Sequence, residues 1–318
     1  MYTSYFDIIL DVINVVPIPL KLFSMYIVYR HSPANMDSLP YFILNTMAWD
    51  FLTSLSGIVL HYIPAAPFVC FRATGLITLF INNEVVYHLC YMTIIASAAN
   101  ATLAQFFAFP YRYMVIVHPD FVDKLKKTWI VALCIGLHVF YVILIYICCY
   151  LIIVPYDDYP FAPKKPPARV DVFCFQAHGS LRESFVMMAS GITASIGILT
   201  VLFTILLYRH FQKMVHLYSK QTLEMHRKFL RYLVVITALP ILCAIWPQVV
   251  GGIQNALFPQ YGLENFMFTT ALIYAQGTFF CIRCILCFAP YRQAVGKMGS
   301  SAFSQNSVVS TVVISGIN

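Results

Sequence analysis

Glu84, His88 and Tyr91, in the run NNEVVYHLCY, carry a carboxylate, an imidazole and a phenol at i, i+4 and i+7. A helix presents those positions on one face, where they can exchange protons or hydrogen bonds with a small polar group. Catalysis would need further partners, and the chain has no HExxH, GxSxG or P-loop pattern and no paired intramembrane carboxylates. The expected role is therefore binding, with no enzymatic activity, no cofactor and no metal. The bland alternative is that Glu84 and His88 simply satisfy each other at a helix end. Trp246 and Gln248 flank Pro247 in AIWPQ, where a kink would turn them inward, and Tyr274 joins them as a ligand-binding candidate. Trp is equally common as an interfacial anchor.

A second group is polar and sits inside apolar runs. Asp50 in MAWDFL lies midway along one such run and needs a partner or a raised pKa, so it reads as a polar hub or an ion site. Asp7, Asp11, Asn14 and Lys21 form one stripe on a first helix that Pro17 and Pro19 bend. Asn14 belongs with Asp50 as an intramembrane polar residue, whereas Lys21, near a span end, is expected to snorkel to the interface. Thr93, Ser97 and Asn100 occupy the face opposite Glu84 and are expected to bond neighbouring helices. The Asn-Ala-Thr at Asn100 lies inside a span and is no glycosylation site.

The elements that position these residues follow from composition. Of 318 residues, 60% are hydrophobic and 10% charged, against roughly 25% charged in soluble domains. Continuous apolar runs of membrane-crossing length, without the alternation of a β-barrel, give an all-α membrane protein with a bundle of seven transmembrane helices. The spans are Phe6–Val28, Leu39–Tyr62, Glu84–Phe109, Trp129–Val154, Phe185–Tyr208, Phe229–Val250 and Phe266–Phe288. Thr74–Ile81 is also apolar and either lengthens the third helix or forms a short segment outside it. Residues 1–290 form the seven-helix domain and 291–318 a short, Ser-rich cytoplasmic tail. No repeat or soluble domain is visible.

Lys and Arg set the orientation. Arg30, Arg112, Lys124, Lys126, Lys127, Arg209, Lys213, Lys220, Arg227, Lys228, Arg231, Arg292 and Lys297 fall on one side. Arg72, Lys164, Lys165, Arg169 and Arg182 fall on the other. The N-terminus is then extracellular and the C-terminus cytoplasmic. The net charge of +7 reflects basic loops against anionic membrane lipid rather than nucleic-acid binding. Most of the ten cysteines lie in the spans. Cys70 and Cys174 alone lie outside them on the oxidising side, so the expectation is a disulfide tying the second extracellular loop to the top of helix three, the alternative being two unpaired thiols. Cys281, Cys284 and Cys287 read as packing residues, and Cys287 as a palmitoylation candidate. Pro-Tyr-Arg occurs twice, in FAFPYRYMVIV and CFAPYRQAV, and each copy reads as a helix stop with an aromatic and a cation at the cytoplasmic interface.

Arg112-Tyr113 after helix three and PYRQAV after helix seven, within a seven-helix layout covering the whole chain, resemble the nematode serpentine chemoreceptors, class H and its relatives in the Str-type superfamily. The chain departs from rhodopsin-like receptors: Tyr111 stands where an acidic neighbour would hold Arg112, the Asn-Pro-x-x-Tyr of helix seven is missing, and Cys243-Ala-Ile-Trp246-Pro247 is only a faint echo of the helix-six motif. Ionic-lock reasoning therefore does not transfer. The resemblance implies a G-protein-coupled chemosensory receptor in the plasma (ciliary) membrane of sensory cells, binding an odorant or pheromone-like small molecule outside and a heterotrimeric G protein inside. Arg112, Tyr113, Arg209, Lys213, Lys228 and Arg292 are then the expected coupling residues. The competing classes are a secondary transporter, with Asp11, Asp50 and Glu84 as coupling groups, and a ligand-gated channel subunit. The absence of internal repeats weighs against a transporter.

Overall fold

The computed structural model describes residues 2–33, 36, 38–65, 70–124, 127–159, 171–176, 179–214 and 262–298, with isolated positions between 234 and 250. Most of the expected sixth span, with Lys228 and Gln248, lies outside them. Among the described residues, six helical stretches are long and apolar enough to cross a membrane.

The first is broken into α1 (Tyr2–Val15) and α2 (Ile18–His31). Pro17 and Pro19 each lack a backbone N–H, and neither can complete the helical ladder there. α3 (Leu39–Val59) ends sooner than expected, because the chain from His61 turns into a strand. A four-stranded antiparallel sheet follows in order β1-β2-β4-β3, from β1 (His61–Pro64), β2 (Cys70–Thr74), β3 (Ile153–Val154) and β4 (Val172–Phe175). Leu76–Leu79 is a 3-10 turn, so Thr74–Ile81 does not lengthen the third helix. Gly75 makes that corner with φ of 95°, a conformation closed to most side chains.

α4 (Glu84–Val117) starts where Asn83 caps it, the side-chain oxygen accepting the Val85 N–H at 2.9 Å. It does not stop at Pro110 as expected but runs through Tyr111 and Arg112 to Val117. An internal proline costs a helix about 3 kcal/mol in isolation. Here Phe107, Ala108 and Phe109 are buried just before it, and Tyr113 and Ile116 pack against Phe109 and α7 after it, so tertiary contact holds both sides. α5 (Pro119–Lys124), α6 (Lys127–Leu151), α7 (Ser180–Met214) and α8 (Gly262–Cys287) complete the bundle. After a break at Phe288, α9 (residues 289–298) begins, with Pro290 in its first turn, where a missing N–H costs nothing. The described part of the expected tail is thus helical.

α4 is the central helix, packed on α3, α6 and α7, while α6 turns most of its surface outward. Without a water-driven force between helices in lipid, close approach and polar contacts hold such a bundle. Two glycines provide the approach. A Cβ on Gly57 would lie 2.6 Å from the Tyr274 ring, and one on Gly277 would lie 2.8 Å from the Asp50 Cβ.

A roofed aromatic cluster and an Arg-bearing opposite end

The sheet closes one end of the bundle. Cys70 pairs with Cys174 in the β2–β4 register, and the two form a disulfide with an S–S distance of 2.00 Å. Side chains alternate along a strand. Cys174 therefore packs on one side with Cys70 and Tyr159, while Phe173 and Phe175 turn towards α4.

Beneath the sheet lies a connected set of rings. Tyr91 meets Tyr62 edge-on at 4.9 Å between centroids, stacks on Phe71 at 5.3 Å and tilts against Phe175 at 5.2 Å. Phe266 of α8 adds contacts to Tyr62 and Phe71. His88 stands edge-on to Phe173 at 5.2 Å and Phe175 at 5.0 Å. Burial pushes the Tyr62 phenol up to about 12, so it stays neutral.

Glu84 sits at the rim. Both its oxygens accept the Tyr156 N–H, at 3.1 and 3.3 Å, and Oε1 is 3.5 Å from the His88 Nε2. The i, i+4, i+7 face thus brings Glu84, His88 and Tyr91 together, and Tyr274 joins the same buried cluster. Its neighbours Phe71, Phe173 and Phe175 carried no sequence pattern beyond their proximity to the two cysteines. His88 is 2% exposed, and among the described residues neither ring nitrogen has a hydrogen-bond partner. Trp246 is not in this cluster. It is 63% exposed.

The polar stripe of α1 and α2 faces inward except at Asp11, which is exposed. Asp7 accepts the Thr74 hydroxyl at 2.8 Å, and His61, itself buried, lies 3.6 Å from Asp7 and 3.5 Å from Asp11. Asn14 is fully buried against Gly57 and Tyr274. Lys21 corrects its expected place: it is 1% exposed, with Nζ donating to Ser54 Oγ at 2.6 Å and to the Asp50 carbonyl at 3.3 Å. It does not snorkel because α2 packs against α3, where Ser54 Oγ and the Asp50 carbonyl accept from its ammonium. Asp50 and Lys21 therefore meet against Gly277, and Asn14 sits beside Gly57.

The opposite end gathers the two Pro-Tyr-Arg copies. The Arg112 guanidinium donates to the Met36 carbonyl at 2.8 Å, and Tyr111 donates to Ser38 Oγ at 2.9 Å. The Tyr291 hydroxyl lies 2.8 Å from Ser32 Oγ and 3.7 Å from the Met36 sulfur. Tyr113 packs on Phe203 of α7, with centroids 5.7 Å apart. Arg209, Lys213 and Arg292 are exposed, and Arg292 donates to the Leu286 carbonyl at 3.1 Å.

The model of the serpentine-type seven-transmembrane GPCR chemoreceptor family Srh matches residues 2–300. The chain belongs to this family. It is a multi-pass membrane protein of the nematode class H chemoreceptors. No curated protein matches it. The Srh match covers both the disulfide-bonded roof and the Arg-bearing end, so both belong to the family domain. The Cys70–Cys174 pair cross-links β2 and β4 within the roof of this Srh chain, and the loop between α2 and α3 is held by side chains from both Pro-Tyr-Arg copies.

Proposed function

We propose that this chain is a G-protein-coupled chemosensory receptor whose roofed aromatic cluster binds a small, neutral, largely apolar molecule. The observation that carries the reading is His88: a buried imidazole among aromatic rings, with neither nitrogen hydrogen-bonded and Nε2 3.5 Å from Glu84 Oε1. A buried polar group without a partner is costly, and a ligand that supplies a hydrogen bond recovers that cost. The aromatic walls favour an odorant-like or pheromone-like molecule. Glu84, tied to the Tyr156 N–H at the rim, orders the loop over the site.

The roof is then extracellular, as the Lys and Arg distribution supports, and the Arg112 end is cytoplasmic. There the exposed Arg209, Lys213 and Arg292, with Arg112 and Tyr113 between them, offer a basic surface for a heterotrimeric G protein. Ligand and G protein would favour the same bundle arrangement, which is what couples them. The site of action is the plasma membrane of a sensory cell, at its cilium.

The test is a ligand screen in cells with a calcium readout, followed by GTP exchange in isolated membranes. For an activating compound, His88→Ala is expected to lower potency about tenfold, the worth of one hydrogen bond to a buried group, and Glu84→Gln less. Full potency of His88→Ala at normal surface level would remove the site from this cluster. Uptake of the compound without GTP exchange would make the chain a transporter.

A further inference from the structure

Glu84 and His88 lie one turn apart on α4, and their relation fixes which atom of the imidazole is left for a ligand. Tyr156, in the segment between β3 and β4, donates its N–H to both Glu84 oxygens, at 3.1 and 3.3 Å. That contact holds the carboxylate in place as an acceptor. Its Oε1 faces the ring, 3.5 Å from His88 Nε2. This separation exceeds an ordinary N–H···O bond of roughly 2.7–3.2 Å, and among the described residues neither ring nitrogen has a hydrogen-bond partner. It is still close enough for the carboxylate charge to act on the ring.

The ring is 2% exposed and stands edge-on to Phe173 and Phe175. An imidazolium there would be a buried charge with two N–H groups and, among the described residues, no bonded partner for either. The ring is therefore neutral, with one N–H and one lone pair. Glu84 decides which nitrogen holds the proton. A lone pair on Nε2 would face a negative oxygen at 3.5 Å, whereas an N–H there is attracted to it. The proton sits on Nε2 and the lone pair on Nδ1. Nδ1 is then a buried acceptor that lacks a donor.

This gives the site a sign. A ketone, ester or ether brings only acceptor oxygens, which would meet the Nδ1 lone pair. A hydroxyl brings the missing donor. Resting on the reading of the aromatic cluster as the site of a neutral, apolar ligand, we propose that the ligand is an alcohol or a phenol whose O–H donates to His88 Nδ1. Glu84 sets this preference as a positioning residue. It acts through the far nitrogen of the ring and needs no contact with the ligand.

The test uses the full chain in nanodiscs with isotope-labelled histidine rings read by nitrogen NMR. The His88 signals are those lost in His88→Phe. Without ligand they should be those of a neutral ring protonated on Nε2; a proton on Nδ1, or on both nitrogens, overturns the proposal. Cyclohexanol and cyclohexanone, which share a skeleton and differ in hydroxyl against carbonyl, are then titrated. The alcohol should shift the Nδ1 signal saturably and bind about tenfold more tightly, the worth of one hydrogen bond to a buried group. Ketone binding as tight as that of the alcohol overturns the proposal. In Glu84→Gln the amide can turn its oxygen to the Tyr156 N–H and its NH2 to Nε2, which frees the ring to carry its proton on Nδ1. The ketone should then gain, and the preference should fall towards one; an unchanged preference overturns the role of Glu84. His88→Phe keeps an aromatic ring and should bind both compounds alike. A tenfold preference that survives His88→Phe would move the ligand site away from His88 altogether, an outcome separate from a His88-dependent preference for the ketone.

Discussion

Gly277→Ala is a sensitive probe of the interior hub. The added methyl would stand 2.8 Å from Asp50 Cβ, 2.9 Å from its Cγ and 3.0 Å from Lys21 Nζ. Ordinary contact begins near 3.4 Å, so α8 and α3 must part by about 0.6 Å at this point. The nearest atom is bound directly to a backbone carbon, so rotating a side chain does not relieve it. Overpacking of this kind costs about 1–3 kcal/mol. Moving Nζ strains its 2.6 Å contact with Ser54 and adds about 1 kcal/mol, while the helix propensity of Ala returns about 1 kcal/mol. The net loss is about 1–3 kcal/mol. Gly136→Ala in α6 is the control, because a methyl there meets nothing within 4 Å and keeps only the propensity gain. Thermal unfolding in nanodiscs, followed by a thiol-reactive dye, reads both variants. Cys281 and Cys284 are fully buried in the core cluster beside the hub and become reactive when it opens. At roughly 2–4 °C per kcal/mol, Gly277→Ala should melt several degrees below wild type and Gly136→Ala at or above it. Gly277→Ala melting with Gly136→Ala would refute the close contact.

Three further outcomes are expected. Lys21→Met alone should cost about 1–3 kcal/mol, because Ser54 Oγ and the Asp50 carbonyl lose the buried donor they share; Ser54→Ala on that background should cost less than it does alone, and strict additivity in the melting temperatures would refute the contact. Cys174→Ser opens a disulfide that spans 104 residues and should cost about 2–5 kcal/mol, read as lost surface expression; normal surface level and thermal midpoint would show the roof is held without it. Arg112→Ala should reduce GTP exchange several-fold while shifting ligand potency little, and unchanged exchange would remove Arg112 from the coupling end.

The helices were legible because apolar length in a chain with 10% charge admits few other readings. The sheet was not. Its strands run from two to five residues inside loops of mixed polarity, too short for alternation to register. Glu84, His88 and Tyr91 could be read because they share one uninterrupted helix. Lys21 was misplaced because its position near a span end suggested the interface, whereas the groups that hold it inside, Ser54 Oγ and the Asp50 carbonyl, lie on another helix. His138 had no pattern at all. A lone imidazole in an apolar run shows its role only once Asn45 and Asn100, on two other helices, stand beside it.

The repeated Pro-Tyr-Arg shows how one sequence can act differently by position. In α4 the proline lies inside the helix, and the following Tyr111 and Arg112 reach sideways to Ser38 and Met36. In α9 the proline opens a helix, and Tyr291 reaches Ser32 and Met36 from the other side. Arg292 instead turns back to Leu286. Both copies therefore grip the short connection between α2 and α3, and Met36 is shared between them. On the proposed function this matters for coupling. α4 is unbroken from Glu84 to Arg112, roughly 42 Å at 1.5 Å per residue, so a shift of its His88 end must either bend the helix or move the Arg112 end. Pro110, without its N–H bond, is where bending costs least. A ligand that moves the His88 end as a rigid body strains the Arg112–Met36 contact, whereas one that bends α4 at Pro110 leaves it intact. Pro110→Ala, which stiffens α4, should raise basal and ligand-driven GTP exchange in the first case and lower ligand-driven exchange in the second. No change in either would exclude α4 as the moving element.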